Sequence, residues 1–139
     1  MSRAGVVGAA AVAALALLLA GCGGSYSDLI AVRRTGSLPD ARFQFVINDG
    51  GTISCQGGRE MALRSKLLLE SRNIVTALQP QFHDNRTYPP AADALLRFRA
   101  ETADGDLAFS DVDGARDRDV ARLVLLVRRI AQQVCGLPR

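Results

Sequence analysis

The chain has one histidine, no strong excess of charge of either sign and no serine in a G-x-S-x-G nucleophile elbow. Its 139 residues carry a formal net charge of +3, which by itself implies neither nucleic acid nor an acidic substrate as a partner. His83, followed by Asp84, is the one histidine available for acid–base chemistry. A lone loop histidine is far more often solvated than catalytic. These absences favour a protein that is not an enzyme.

The one long apolar run is short for a membrane span. It extends from Ala4 to Ala20, is rich in alanine and follows the positive charge of Arg3. About 20 strongly apolar residues are needed for a helix to cross the hydrocarbon core. The run therefore favours a cleavable signal peptide, with an uncleaved N-terminal helix as the alternative.

The residues that end this run, Leu19-Ala20-Gly21-Cys22, match the lipobox of bacterial lipoproteins. The resemblance implies cleavage between Gly21 and Cys22, a diacylglycerol on the Cys22 thiol and, usually, acylation of the new amino group. Several acyl chains would anchor the protein stably, because each buried methylene contributes about 0.8 kcal/mol. We therefore expect a signal peptide over residues 1–21, a lipidated cysteine and tether over residues 22–28, and a single domain over residues 29–139. The expected location is the extracytoplasmic side of the cell membrane, which argues against nucleic acid as a partner.

Cys55 and Cys135 remain once Cys22 is assigned to the lipid. In an oxidising compartment we expect them to form a disulfide, whose closed loop of about 80 residues would contribute about 4 to 5 kcal/mol. Two buried free thiols are the alternative, because two exported cysteines need not be adjacent. Neither cysteine has another cysteine or a histidine at metal-ligand spacing, so no metal site and no cofactor are expected.

The stretch from Asp104 to Asp119 is rich in aspartate and raises the question of calcium. An EF-hand loop started at Asp111 requires Asp or Asn at position 115 and Gly at position 116, where the chain has Ala115 and Arg116. We therefore interpret the stretch as a polar loop whose carboxylates cap and charge the N-terminus of the next helix.

Apolar periodicity predicts the element order β-β-β-α-β-β-α. Alternation and β-rich composition predict five strands, near residues 29–35, 43–48, 52–55, 96–101 and 107–109. Helical spacing predicts a first helix from Ser65 to Gln79, stopped by Pro80, and a second one after Gly114. The predicted fold class is α+β, a mostly antiparallel sheet of about five strands with both helices on one face and one disulfide.

If both helices cover one face, the other is an open polar surface. Arg97 and Arg99 share a strand face with Glu101, and Arg33 is expected nearby. Arg33, Arg97 and Arg99 form the candidate binding surface, for an envelope protein or an anionic polymer; an ordinary solvated sheet face is the alternative. The stiff loop Tyr88-Pro89-Pro90 is a lesser candidate.

Residues 28–137 resemble uncharacterised small actinobacterial lipoproteins that carry a "DGGT...C.GG" hairpin and a "QQVCG" ending. Here the matching residues are Asp49 to Thr52, Cys55, Gly57-Gly58 and Gln132 to Gly136. The resemblance implies a shared fold and disulfide and no known activity. The expected function is a lipid-anchored extracytoplasmic accessory or binding module of the cell envelope. The alternatives are a small envelope hydrolase or transferase that uses His83 with a carboxylate, and a protease-inhibitor-like protein that presents a rigid loop.

Overall fold

The computed structural model describes residues 27–138; the expected signal peptide, its Gly21–Cys22 cleavage site and most of the tether lie outside them. The six strands are β1 (Asp28–Gly36), β2 (Phe43–Asn48), β3 (Thr52–Cys55), β4 (Met61–Ala62), β5 (Leu96–Thr102) and β6 (Gly105–Ser110). The helices are α1 (Ser65–His83) and α2 (Arg118–Arg129), with a 3-10 turn at Asp113–Ala115 before α2 and a π-helical turn at Ile130–Val134 after it. The predicted α+β class is confirmed.

All six strands form one antiparallel sheet in the order β4-β3-β2-β1-β5-β6. The first strand lies at the centre, because it pairs with β2 on one side and with β5 on the other. β4, which the sequence did not predict, contributes two exposed residues at the edge and is too short for an alternating pattern. The outer edge of β6 is covered near Ala108, which exchanges backbone hydrogen bonds with Arg86 and Tyr88.

One hydrophobic core fills the space between the sheet and the two helices. Alternate residues of each long strand point into it, and Val32 on β1 lies opposite Phe45 on β2 and Ala100 on β5. Phe98 on β5 and Phe109 on the edge strand β6 stack in the core, with ring centroids 5.0 Å apart. Full burial of such a side chain stabilises the fold by about 1.5 to 3 kcal/mol. The helices add the buried residues Leu67, Ile74, Leu78, Phe82, Val120, Leu123, Leu126 and Val127.

The prediction that Pro80 stops the first helix was wrong, because α1 continues to His83. Proline cannot donate a hydrogen bond to the carbonyl of Thr76 four residues earlier, which disfavours it inside a helix. Here the extra turn places Phe82 in the core with no exposed surface. The N–H of Asp84 also donates a hydrogen bond to the carbonyl of Pro80 at 3.1 Å. Burial and these last hydrogen bonds therefore outweigh the one missing donor.

The second helix begins and ends with clear local causes. The Asp117 side chain caps α2 by accepting hydrogen bonds from the backbone N–H groups of Asp119 and Val120. The apolar stripe of α2 continues through the π-helical turn, which buries Ile130 and Ala131. Directly after this turn, Cys135 is disulfide-bonded to Cys55 at the end of β3, with a Cα–Cα distance of 5.8 Å. The predicted pairing of these cysteines is confirmed.

No helix within residues 27–138 is long and apolar enough to cross a membrane.

Candidate functional site

The sheet face opposite the helices carries the polar side chains predicted for it, and we call it the open face. Arg33 on β1 lies directly between Gln44 on β2 and Arg99 on β5. Two residues before Arg99 on β5, Arg97 lies opposite Thr35 of β1. The three predicted arginines therefore occupy one face of two paired strands, and all three are exposed. The open face also includes Ala31, Val46, Ser54, Glu101, Asp106 and Ala108.

Arg99 is not a free cation, because two carboxylates hold its guanidinium. Its Nε donates to Oε1 of Glu101 at 3.0 Å, and its Nη2 donates to the carboxylate of Asp106. The hydrogen bond with Glu101 and the charge of Asp106 raise the pKa of Arg99 above its usual value. These two acids also relieve the repulsion expected between Arg33 and Arg99, which lie directly opposite on paired strands.

In the part of the chain that the structure describes, the positive charges of Arg33 and Arg97, unlike that of Arg99, are not paired with carboxylates. Within residues 27–138, no carboxylate lies at ion-pair distance from either guanidinium. Arg42, a residue not named from the sequence, joins them on this side. With Arg33, Thr35, Gln44 and Gln56 it lines a shallow depression of about 340 Å³. Strand alternation was the available signal, because Arg42 stands two residues before Gln44.

The charges on the open face are separated along the strand direction. Glu101 pairs with Ala31, near the start of β1, and Asp106 lies beside Glu101 on β6. Arg33 and Arg97 lie towards the other end of β1. The face is thus acidic at the end where β1 begins and basic at the end where β1 leaves the sheet.

The concavities of this face are open and shallow. The central one has a volume of about 150 Å³ and lies over Ala31, Arg33, Val46 and Arg99. It is smaller than the clefts of about 300 to 1,000 Å³ that usually enclose small molecules, whereas the depression beside Arg42, at about 340 Å³, falls at the lower end of that range. Cleft volume therefore gives no preference between a small ligand and an extended partner on the open face.

His83 lies away from this surface. It is the last residue of α1, on the helix layer, and its side chain is exposed. In the described part of the chain, no carboxylate hydrogen-bonds to it, and Asp84 contributes to the helix end through its backbone. The structure does not bring His83 together with Arg33, Arg97 or Arg99.

Tyr88 is held inside the molecule rather than presented on its loop. It is 9% exposed, and its hydroxyl lies 2.9 Å from Oδ2 of Asp117 and 3.0 Å from Oε1 of Gln81. Burial and the hydrogen bond with Asp117 raise its pKa above the usual value. The proline-marked loop is therefore anchored through its aromatic residue, as a rigid connector would be.

Most carboxylates of the aspartate-rich stretch accept hydrogen bonds from protein donors, whereas Oδ1 of Asp111 is buried without a hydrogen-bond partner within residues 27–138. Asp113 is 2% exposed and accepts hydrogen bonds from both the N–H and the hydroxyl of Ser110. Asp104 accepts from Gln79, while Asp119 pairs with Arg122. Across residues 27–138, no three His, Cys, Asp or Glu residues converge in a way that could hold a metal ion. The carboxylates instead cap α2 and tie neighbouring elements together.

Comparisons with protein-family models, with curated proteins and with solved structures found no match to this chain.

Proposed function

We propose that this protein is a non-enzymatic, lipid-anchored module on the extracytoplasmic side of the cell membrane that binds an anionic envelope polymer. The polymer would contact the basic end of the open face, where Arg33, Arg42 and Arg97 are exposed. The observation that carries the proposal is the contrast among these arginines. Arg99 is neutralised by two acids, whereas Arg33 and Arg97 have no acidic partner within residues 27–138.

The direction of β1 supports a partner remote from the lipid surface. β1 begins at Asp28, six residues after Cys22. Nine residues of strand extend about 26 Å from first to last Cα. With an acyl anchor on Cys22, the acidic end of the open face would lie nearer the membrane and the basic end farther from it. Such an arrangement favours a polymer in the envelope over lipid headgroups at the anchor.

Arginine suits this role for a physical reason. Its planar guanidinium presents several donors in a fixed fork that matches phosphate and carboxylate groups in a bidentate manner. Exposed charges are screened over about 8 Å at physiological ionic strength, so single contacts of this kind are weak. A polymer with repeated anionic groups would engage several arginines at once, and its binding would weaken as salt is added.

The test uses the full chain in nanodiscs of a zwitterionic phospholipid, with immobilised inorganic polyphosphate as the probe. We expect salt-sensitive binding that the double substitution Arg33→Glu with Arg97→Glu weakens at least tenfold. The matched control is Arg116→Glu with Arg118→Glu, which changes the net charge equally at two exposed residues around the start of α2. Equal loss in both variants would attribute binding to net charge alone and reject the proposed surface, as would full binding by the first variant.

A second experiment concerns the location. The tagged chain is cross-linked in living cells and its partners are identified by mass spectrometry, beside a Cys22→Ala variant. We expect an envelope component to be captured by the unsubstituted chain and lost with Cys22→Ala. Recovery of the same component with both chains would contradict a role for the anchor in positioning the module.

A further inference from the structure

A larger concavity lies on the helix side of the sheet, at the end where β1 leaves it. This groove has a volume of about 560 Å³ and is open along one side. Three parts of the chain form its walls: the turn between β1 and β2, the start of β5, and α2 with the residues that follow it. Its apolar lining includes Leu38, Pro39, Leu96, Phe98, Val124 and Leu137.

The groove retains apolar surface that the core does not cover. Leu38 is 44% exposed, and Leu96, Val124 and Leu137 are partly buried against the core cluster. Burial of such surface by a ligand is favourable by about 25 cal/mol for each Å² removed from water. An apolar chain that lies in the groove would therefore bind more favourably as more of its length is buried.

Two arginines give the groove a positive rim. The guanidinium of Arg34 is fixed by hydrogen bonds from its Nε to the carbonyl of Ala41 and from its Nη2 to that of Asp40, each at 2.9 Å. It also lies over the ring of Phe43, 5.3 Å from the centroid. Within residues 27–138, neither Arg34 nor Arg128 forms a salt bridge, and the Asp40 side chain is the one acid on the lining.

Desolvation makes the charge of Arg34 more costly than that of an exposed arginine. Burial lowers its pKa, and the charge of Asp40 offsets this only in part. A half-buried cation whose donors bind backbone carbonyls would be further stabilised by an anion. The rim thus favours a ligand with a negative head group.

The end of α2 widens where it borders the groove. The π-helical turn Ile130–Val134 contains Gln132, which lines the groove, and the N–H of Leu137 folds back onto the carbonyl of Ala131 at 2.8 Å. This backbone arrangement brings Leu137 and Pro138 onto the groove as its closing wall.

We propose that this groove binds a single-chain amphiphile with a carboxylate head, such as a free fatty acid. The alkyl chain would lie against Leu38, Val124 and Leu137, and the carboxylate would contact Arg128 and the remaining donors of Arg34. The size favours a small molecule over a protein partner. About a dozen residues line the groove, whereas a specific protein interface uses about 20 to 30 residues on each side. A volume of about 560 Å³ falls within the usual range of small-molecule clefts. The site lies on the opposite side of the sheet from the open face and is independent of the function proposed above.

The absence of tryptophan from the chain allows a direct test. In the full chain carrying Leu38→Trp, in nanodiscs of a zwitterionic phospholipid, the one tryptophan reports on the rim of the groove. Dodecanoate is the probe and its methyl ester is the uncharged control. We expect a saturable fluorescence change with dodecanoate, at least tenfold weaker binding of the ester, and about tenfold weaker dodecanoate binding after Arg128→Gln. Arg118→Gln, which removes the same charge from the other end of α2, should leave dodecanoate binding unchanged.

Three results would overturn the proposal: no saturable change, equal binding of acid and ester, or equal effects of Arg128→Gln and Arg118→Gln. Because the new tryptophan lies in the groove itself, a second readout uses the unsubstituted chain. A dodecanoate bearing a diazirine is photo-cross-linked to the chain, and the labelled peptides are mapped. Labelling confined to residues 34–41, 95–98 and 124–138 supports the site, and labelling concentrated elsewhere rejects it.

Discussion

At the scale of single residues, the carboxylate of Asp117 connects three separate parts of the chain. Its Oδ1 accepts hydrogen bonds from the N–H groups of Asp119 and Val120, at 2.9 and 3.1 Å. Its Oδ2 accepts from Nε2 of Gln81 at 2.8 Å and contacts the hydroxyl of Tyr88. One side chain therefore caps α2 and holds the end of α1 and the following loop against it. The first-turn aspartates predicted the start of the helix, but Gln81 and Tyr88 are too distant in sequence for any local pattern to reveal these contacts.

Replacing Asp117 with alanine is expected to destabilise the protein by about 2 kcal/mol. Loss of a helix cap costs about 0.5 to 2 kcal/mol, and Gln81 and Tyr88 also lose an acceptor. Asp119→Ala is the matched control in the same helical turn, since its exposed pair with Arg122 contributes only about 0.2 to 0.5 kcal/mol. Urea denaturation followed by circular dichroism measures both. Equal stabilities of the two variants would contradict the role assigned to Asp117.

The same carboxylate should make stability depend on acidity. Burial opposes its ionisation, but hydrogen bonds from Val120, Gln81, Tyr88 and Asp119 outweigh that effect and lower its pKa below the usual 3.8. Its contribution to stability is therefore complete above pH 3.8 and is lost as the pH falls through the lower folded-state pKa. Asp117→Asn keeps a capping oxygen but cannot titrate. We expect the free energy of unfolding of Asp117→Asn to fall less steeply below pH 3.8 than that of the unsubstituted chain; parallel curves would disprove this.

At the scale of elements, two long-range links fasten the C-terminal helix. The guanidinium of Arg129 at the end of α2 forms a bidentate pair with the carboxylate of Glu70 on α1, one contact being 2.8 Å. The disulfide from Cys135 to Cys55 then joins the end of the π-helical turn to β3. The cysteine count predicted the second link but gave no information on the first.

Removal of the disulfide, by replacing both Cys55 and Cys135 with serine, is expected to destabilise the protein by about 3 to 5 kcal/mol. The bond spans 80 residues, and cross-linking so long a loop strongly restricts the unfolded chain. Guanidinium denaturation of the oxidised chain and of the double variant measures the difference. Reduction of the unsubstituted chain should give a similar loss, because it removes the same constraint. A difference under about 1 kcal/mol would show that the cross-link has little effect on the folding equilibrium.

Local patterns predicted most elements but not all of their ends. The alternation of Phe43, Phe45 and Ile47 placed β2 correctly, because one face of that strand is fully buried. The predicted end of α1 at Pro80 was wrong because the burial of Phe82, a tertiary effect, favours continuation of the helix. β4 had no detectable pattern, since two exposed residues cannot alternate.

At the scale of the whole molecule, the sequence predicted the two faces of the sheet. It predicted neither the neutralisation of Arg99 nor the groove on the helix side. Alternation assigned Arg97 and Arg99 to one strand face, and the pairing of β1 with β5 places Arg33 beside them on that surface. The neutralisation of Arg99 depends on Asp106, which reaches it only through the pairing of β5 with β6. The groove combines Leu38, Leu96, Val124 and Leu137, which come from three parts of the chain that become neighbours only after the sheet and α2 have packed. Both features depend on tertiary contacts, which sequence periodicity does not reveal.

The central position of β1 has a mechanical consequence. If the chain is tethered through Cys22 while a polymer holds Arg97 on β5, the pulling force acts along the strand axis and in opposite directions on β1 and β5. These antiparallel strands are in register from Ala31 with Glu101 to Gly36 with Leu96, so their hydrogen bonds are loaded together in shear rather than opened one after another. Force spectroscopy with handles at residues 22 and 97 should show a higher rupture force than handles at residues 97 and 110 of the β5–β6 pair. The strand nearest the proposed anchor is thus the one best placed to resist tension from the envelope.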